Sequence, residues 1–486
     1  MKSFHAQTPV SLMEDLVRDV VDSASSKAVE YAEARLHIDS GSGVTLTNGM
    51  PQPVQLAKAK GIAVRVLVDG ALGFAATNDL SRESLNDTVD VAYRMAKASK
   101  GRVTKPIGLS KEKAEQANWE AKARRSLLDV TIEEKLQVLD EIEKDLSPNV
   151  VKVDLPSRTL ILFDDVTDRY FANTEGSKIH GTVSRIGLLF ILTASESGKG
   201  IIQRIGQKGE TGGWERLKEW NLPKLVSEEA ATLGKILREA KQAPREELDL
   251  VLGSEVTGII CHESCGHPQE ADRILGREAA QAGESYVKPD MIGHRIGSEV
   301  VTVVDDPTVP NSFGFYQYDE EGVRAGRRTL IKNGVIAGFL QNRETAAELG
   351  VSSNGAARAV SYDREPIIRM ANTFMLPGEY ADEELIEDVS KGVFIKTFME
   401  WNIDDRRYNQ RYVGLEAFLI ENGQITSAVR NPILEITTPG LYGSVDAVGK
   451  TVEYEAATCG KGDPVQGAPV WHGGPPIRLR KVRLGG

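Results

Sequence analysis

A chain of 486 residues with 41% apolar and 27% charged side chains has the balance of a globular protein, and no run nears the ~18 apolar residues of a membrane helix. Asp and Glu outnumber Lys and Arg by 70 to 59, a net charge of −11, which argues against long-range attraction to nucleic acid. Residues 1–9 lack an apolar signal core and the three Cys form no even, regularly spaced disulfide set, so a reducing cytoplasm is the expected setting.

Single cores stop growing near about 250–300 residues, so more than one unit is expected. In chain order, Thr8-Pro9, or Ser11 with Glu14, opens an amphipathic helix through Leu12, Leu16, Val20 and Met13, Val17, Val21. Residues 61–68 and 71–75, joined by Asp69-Gly70, predict a hairpin, and 81–98 return to helical periodicity. The polar, Lys-rich stretch 100–124 with Pro106 reads as a connector closing an N-terminal α/β unit, 1–105. In a central unit, 106–240, Thr131 with Glu134 caps a helix ending near Pro148, and 159–163, 169–173, 179–193 and 200–206 predict a β meander. A helix around 224–241 leads to a β-rich third unit, 241–486, with hairpins signalled by Asn333-Gly334 and Asn422-Gly423. The fold class is α+β. The basic tail 478–483 reads as a solvated strand edge before a phosphate-binding patch.

The third unit carries the chemistry. A buried-strand pattern, 248–252, is followed by Ser254 as a candidate N-cap and a helix with Val256, Ile259 and Ile260 on its buried side. That helix runs into His262-Glu263-Ser264-Cys265-Gly266-His267-Pro268. Neutral imidazoles ligate Zn²⁺, and an adjacent carboxylate can take a proton from water at the metal, so His262 and His267 are candidate ligands and Glu263 the candidate base. Two His four apart lie about 40° apart on a helix, but five apart they diverge by roughly 140°. Both reach one ion only if the helix bends, takes a π-type turn, or ends at Gly266 and Pro268.

A catalytic zinc site usually has three protein ligands and an open position. Cys459, in Thr-Cys-Gly-Lys-Gly-Asp-Pro, is a candidate third ligand on a Gly-rich turn. Glu270 could ligate or orient a ligand, and Cys265, three after His262, shares its helical face. Cys261 reads as a small buried hydrophobe, and His294 and His472 as ordinary polar residues. Residues 443–451 mimic a phosphate loop with one residue too many and a strand where a helix must follow. A thiol hydrolase built on Cys265 and His267 is disfavoured, because helical neighbours two apart point in divergent directions.

The motif, followed by Glu270-Ala271-Asp272, resembles the metal-binding segment of the TldD/PmbA family of metallopeptidases. Tyr31-Ala-Glu-Ala-Arg35, Gly61-Ile-Ala-Val-Arg65, Gly73-Phe74, residues 316–322, Arg369-Met-Ala-Asn-Thr373 and Cys459-Gly-Lys461 are similar to further family patterns, so the likeness spans nearly the whole chain. It implies a TldD-type, motif-bearing subunit: a metallopeptidase with Zn²⁺, or another divalent transition metal, held by His262, His267 and Cys459, and Glu263 as general base. It also implies a cytoplasmic dimer, either a homodimer or a heterodimer with a motif-lacking paralogue, enclosing a cavity for unfolded or extended peptides, and no nucleic-acid or membrane partner. The alternative is a non-catalytic partner or scaffold subunit with a structural metal site.

Overall fold

The computed structural model describes residues 10–278 and 283–485. The Thr8-Pro9 start therefore lies outside the described residues. The helix Val10–Ser25 buries Met13, Val17, Val20 and Val21. Leu12 stays exposed.

One eight-stranded sheet runs through both the 31–77 and the 116–211 segments. Its main path is Ala71–Thr77, Gln55–Val68, Tyr31–Thr47, Asp154–Asn173, Lys178–Glu196, Gln116–Glu120, with Gly200–Thr211 also pairing to Lys178–Glu196. The first hairpin turns on Asp69 and Gly70, at φ 51° and 74°, the left-handed pair that a two-residue turn requires. Two expectations need correction. Residues 159–163 and 169–173 belong to a single strand, Asp154–Asn173, because its polar middle is paired on both sides, to Tyr31–Thr47 and to Lys178–Glu196. Ladder bonding overrides polarity there, and Lys135 neutralises Asp164 in the buried interior. The connector also contains a strand, Gln116–Glu120, that runs parallel to Lys178–Glu196.

Thr131 and Glu134 form the expected capping box, a motif worth about 1 kcal/mol. Their helix ends at Asp145, and Pro148 instead opens a separate turn, Pro148–Val151. This helix and Leu222–Glu239 cover the sheet through Leu139, Ile142, Leu188, Val226 and Leu233. Val10–Ser25 and Arg82–Ser99 pack on Leu36, Val64 and Val66.

Two further sheets follow. In a ten-stranded sheet, Glu247–Leu252 lies between antiparallel Ile477–Gly485 and parallel Lys391–Ile395. A six-stranded sheet contains Val303–Asp305, Asn372–Met375, Gln466–Gly474 and Glu453–Lys461. Between them sits the helix Ser254–Cys261, sharing one core with Leu250, Val303, Met375, Val470 and Leu479. Eight residues are too few for a stable isolated helix. Burial of Val256, Ile259 and Ile260, at about 1.5–3 kcal/mol each, supplies the missing stability.

The tail also departs from expectation: Ile477–Gly485 is an internal strand, paired to three others. Arg478 is buried there because Asp446 takes it at 3.0 Å, and Arg480 reaches Asp249 at 2.7 Å. Residues 443–451 leave the helix Thr438–Ser444 and enter the strand Val445–Val448, the reverse of a phosphate loop. Among the described residues no helix is long and apolar enough to cross a membrane.

Candidate metal centre

The strand Glu247–Leu252 delivers the chain to the motif helix, whose cap falls at Gly253, one residue before the expected Ser254. The backbone of Lys396 crosses so close to Gly253 that a side chain would collide with it. Glu255 in the first turn meets Arg204 at 2.7 Å, and Arg204 also meets Glu229 at 2.9 Å, which ties the helix to the first sheet.

The helix then widens. Residues His262–Gly266 form a π-helical turn, closed by a hydrogen bond from the His267 N–H to the His262 carbonyl. A five-residue ring places position i+5 above position i, which resolves the divergence of roughly 140° that a regular helix would impose. The imidazoles stand edge to face with ring centres 4.8 Å apart. Gly266 belongs to the mechanism of this turn, since Met370 Sδ occupies the space a Cβ would need. Cys265 lies in the apolar core.

Cys459 approaches from the six-stranded sheet, its Sγ 3.4 Å from His267 Nε2. The candidate ligand atoms of His262, His267 and Cys459 all lie within 4.8 Å of one another. Cys459 is not on a turn as expected: it sits in the strand Glu453–Lys461, and the turn begins at Gly462, φ 92°. Strand alternation sends Cys459 and Lys461 to the same side. Lys461 is fully buried and meets Asp272 at 2.7 Å and Glu270 at 3.3 Å, fastening the strand to the motif.

Glu270 acts behind His267. Its Oε2 lies 3.0 Å from His267 Nδ1 and accepts from Arg273 Nε at 2.6 Å. Burial pushes its carboxyl up, but Lys461, His267 and Arg273 outweigh that and hold it well below the usual range. A carboxylate on Nδ1 leaves Nε2, the atom facing Cys459, as the candidate ligand atom of His267.

Glu263 is 6% exposed and held at both oxygens: Trp401 Nε1 donates to Oε1 at 3.1 Å, and Arg407 pairs with Oε2. Burial raises its carboxyl, yet His267, Arg407 and His262 together lower it below its ordinary value. It stays a carboxylate at neutral pH. Burial pushes His262 down and so keeps it a neutral imidazole. The Cys459 thiol, pushed up by burial, is drawn down further by His267 and Arg369, to about 7. Cys261 and Cys265 go the other way, raised by burial, as inert core thiols do. That also removes the thiolate which a Cys265–His267 hydrolase would need.

His472 is not an ordinary polar residue. It is buried on Gln466–Gly474 with its ring centre 6.1 Å from that of His262, and burial drives it down to about 3. His294 is exposed. His472, Arg407 and Trp401 carry no spacing signal, because the sheets bring them in from far along the chain. Within the strand, the alternation of Cys459 with Lys461 could have pointed to Lys461.

The donor set fits a transition metal. Two imidazoles and a thiol of lowered pKa converge in the interior, and the buried Nδ1 of His262 has no hydrogen-bond partner among the described residues. Such a group beside a carboxylate is the makeup of a hydrolytic metal centre.

Comparison with known proteins gives the family. The PmbA/TldA metallopeptidase C-terminal domain matches residues 245–486, its domain 1 matches 32–96, and its central domain matches 125–238. "Metalloprotease MJ0996" of Methanocaldococcus jannaschii is 32% identical over 92% of this chain and 96% of its own. The "Zinc metalloprotease TldD homolog" of Saccharolobus solfataricus is 24% identical over 96% of this chain and 99% of its own. The crystal structure of TldE from Thermococcus kodakarensis superposes with a TM-score of 0.71 at 17% identity, over 98% of this chain and all of that one, a likeness of fold alone. The chain belongs to the TldD/PmbA family of metallopeptidases.

Proposed function

We propose that this protein is a metal-dependent peptidase in which His262, His267 and Cys459 hold Zn²⁺, or another divalent transition metal, and Glu263 is the general base. The observation that carries this reading is the convergence of the three candidate ligand atoms within 4.8 Å beside the buried turn that bears Glu263. When bound, the metal supplies Lewis-acid polarisation of the scissile carbonyl and lowers the pKa of water. Glu263, ionised and oriented by Trp401 and Arg407, takes the proton of the attacking water and passes it to the leaving amine. Glu270 fixes the tautomer of His267.

The substrate is an extended or unfolded peptide. Support comes from burial: His262, Glu263 and His267 are at most 6% exposed, so a narrow chain reaches them and a folded surface does not. Main-chain pairing to a strand would bind such a peptide with little sequence preference. The proposal includes a dimer, of this chain with itself or with a paralogue lacking the motif, that encloses the site. The reading as a scaffold with a structural metal is weaker, since such sites close with four protein ligands and the described group has three.

Two results are expected. Cleavage of a mixed peptide pool, followed by mass spectrometry, should vanish on exhaustive chelation and return with a divalent metal; undiminished cleavage by demetallated protein would overturn the proposal. Glu270→Gln should weaken metal binding about 10- to 100-fold, read by competition with a chromophoric chelator. Unchanged affinity would remove Glu270 from the account.

A further inference from the structure

A cavity of about 560 Å³ opens between the first sheet and the strands Glu453–Lys461 and Gln466–Gly474. Phe163, Phe313 and Pro469 give it an apolar wall and Arg185, Arg358 and Arg369 a basic one, and Arg169, Asp39, Asp164 and Asp165 also line it. Arg185, Arg358 and Arg369 are 2%, 7% and 2% exposed.

Their partners are unusual for buried cations. Arg358 Nη1 donates to the carbonyls of Met370 at 2.7 Å and Pro469 at 2.9 Å, and its guanidinium stacks on Tyr316 at 5.3 Å. Arg369 donates to the carbonyls of Gln466 and Cys459, and its Nε has no partner. Arg185 donates to the carbonyls of Phe313 at 2.8 Å and Phe315 at 3.2 Å, with Asp165 3.6 Å away. Among the described residues neither Arg358 nor Arg369 has a carboxylate partner. Neutral carbonyls take only part of their hydrogen-bonding capacity and leave them without a carboxylate in contact, a costly state for a buried cation. Consistent with this, burial and the neighbouring Arg side chains push Arg358 down to about 9. The acids of the lining have other partners: Asp164 pairs with Lys135, Asp165 with Arg185, and Asp39 accepts from Thr167.

We infer that this cavity binds a carboxylate of the peptide substrate, at the C-terminus or on an acidic side chain. The planar fork of a guanidinium matches a carboxylate, and the aromatic wall accommodates the hydrocarbon of the residue that bears it. Arg369 joins the cavity to the metal centre, since it lines the one and holds the Cys459 carbonyl of the other. The inference rests on the peptidase reading.

Its test uses four peptides of one sequence: free acid or carboxamide at the C-terminus, each with Asp or Asn at one internal position. KM and kcat are measured with metal-loaded wild type, and equilibrium binding with metal-loaded Glu263→Gln. At least one acid form should bind about tenfold or more tighter than its neutral isostere, the difference appearing in KM. Which pair shows it tells the C-terminus from a side chain. In Arg358→Gln the ratio should fall toward one, and Arg358→Lys should restore part of it. Equal binding of acid and neutral peptides overturns this inference even if all four are cleaved. A clear acid preference without turnover in wild type supports it and overturns the peptidase reading alone.

Discussion

Glu263→Gln is expected to keep the metal and lose at least about 10²-fold in turnover, the usual scale for removal of a general base. Gln matches Glu in shape and can still accept from Trp401, but it cannot take a proton from water. His262, His267 and Cys459 are untouched, so metal per chain should remain at wild-type level. Arg407 loses its ion pair, and a buried cation without a partner is destabilising, so the melting temperature should fall as well. Metal content measured beside kcat at a temperature well below melting separates the two effects. A rate near that of wild type with stoichiometric metal would sink the assignment of Glu263.

Cys459→Ala should lose most of the metal and with it the activity, while Cys265→Ala keeps both. Two imidazoles alone make a weak site, and the thiolate is the one anionic group among the three candidate ligands. Cys265 lies in the core with its thiol raised by burial, and the atoms that converge with the His pair are those of Cys459. Its truncation should cost stability on the scale of a small core deletion, about 1 kcal/mol. A ligating thiol must be deprotonated. The sign follows from Cys459 titrating at about 7: below that pH a proton competes with the metal and affinity falls, and above it affinity levels off as far as the thiol is concerned. Metal per chain after gel filtration decides the matter, and retention by the Cys459 variant with loss from the Cys265 variant would reverse the assignment.

Much of this was legible because it is local. The Asp69-Gly70, Asn333-Gly334 and Asn422-Gly423 turns all have the positive φ pairs their residues suggest, and the Thr131 capping box forms as written. The His pair was visible too, and a π-type turn was among the ways to unite it. What remained hidden depends on distant partners. The strand Asp154–Asn173 looks broken by its acidic middle until Lys135 and two flanking strands are in place. The tail looks like a solvated edge until Asp249, Asp388 and Asp446 neutralise its Arg. Arg407 reaches Glu263 across 144 residues, and no spacing rule links them. His472 became part of the site only when parallel pairing with Asn372–Met375 fixed its strand beside the motif helix.

X-ray absorption at the metal edge of the reconstituted protein tests the central claim most directly. The account predicts one metal per chain in a first shell of one sulfur and two imidazole nitrogens, with the sulfur lost in Cys459→Ala and kept in Cys265→Ala. A first shell of oxygen and nitrogen alone in the wild type, or a sulfur that survives Cys459→Ala, would contradict it.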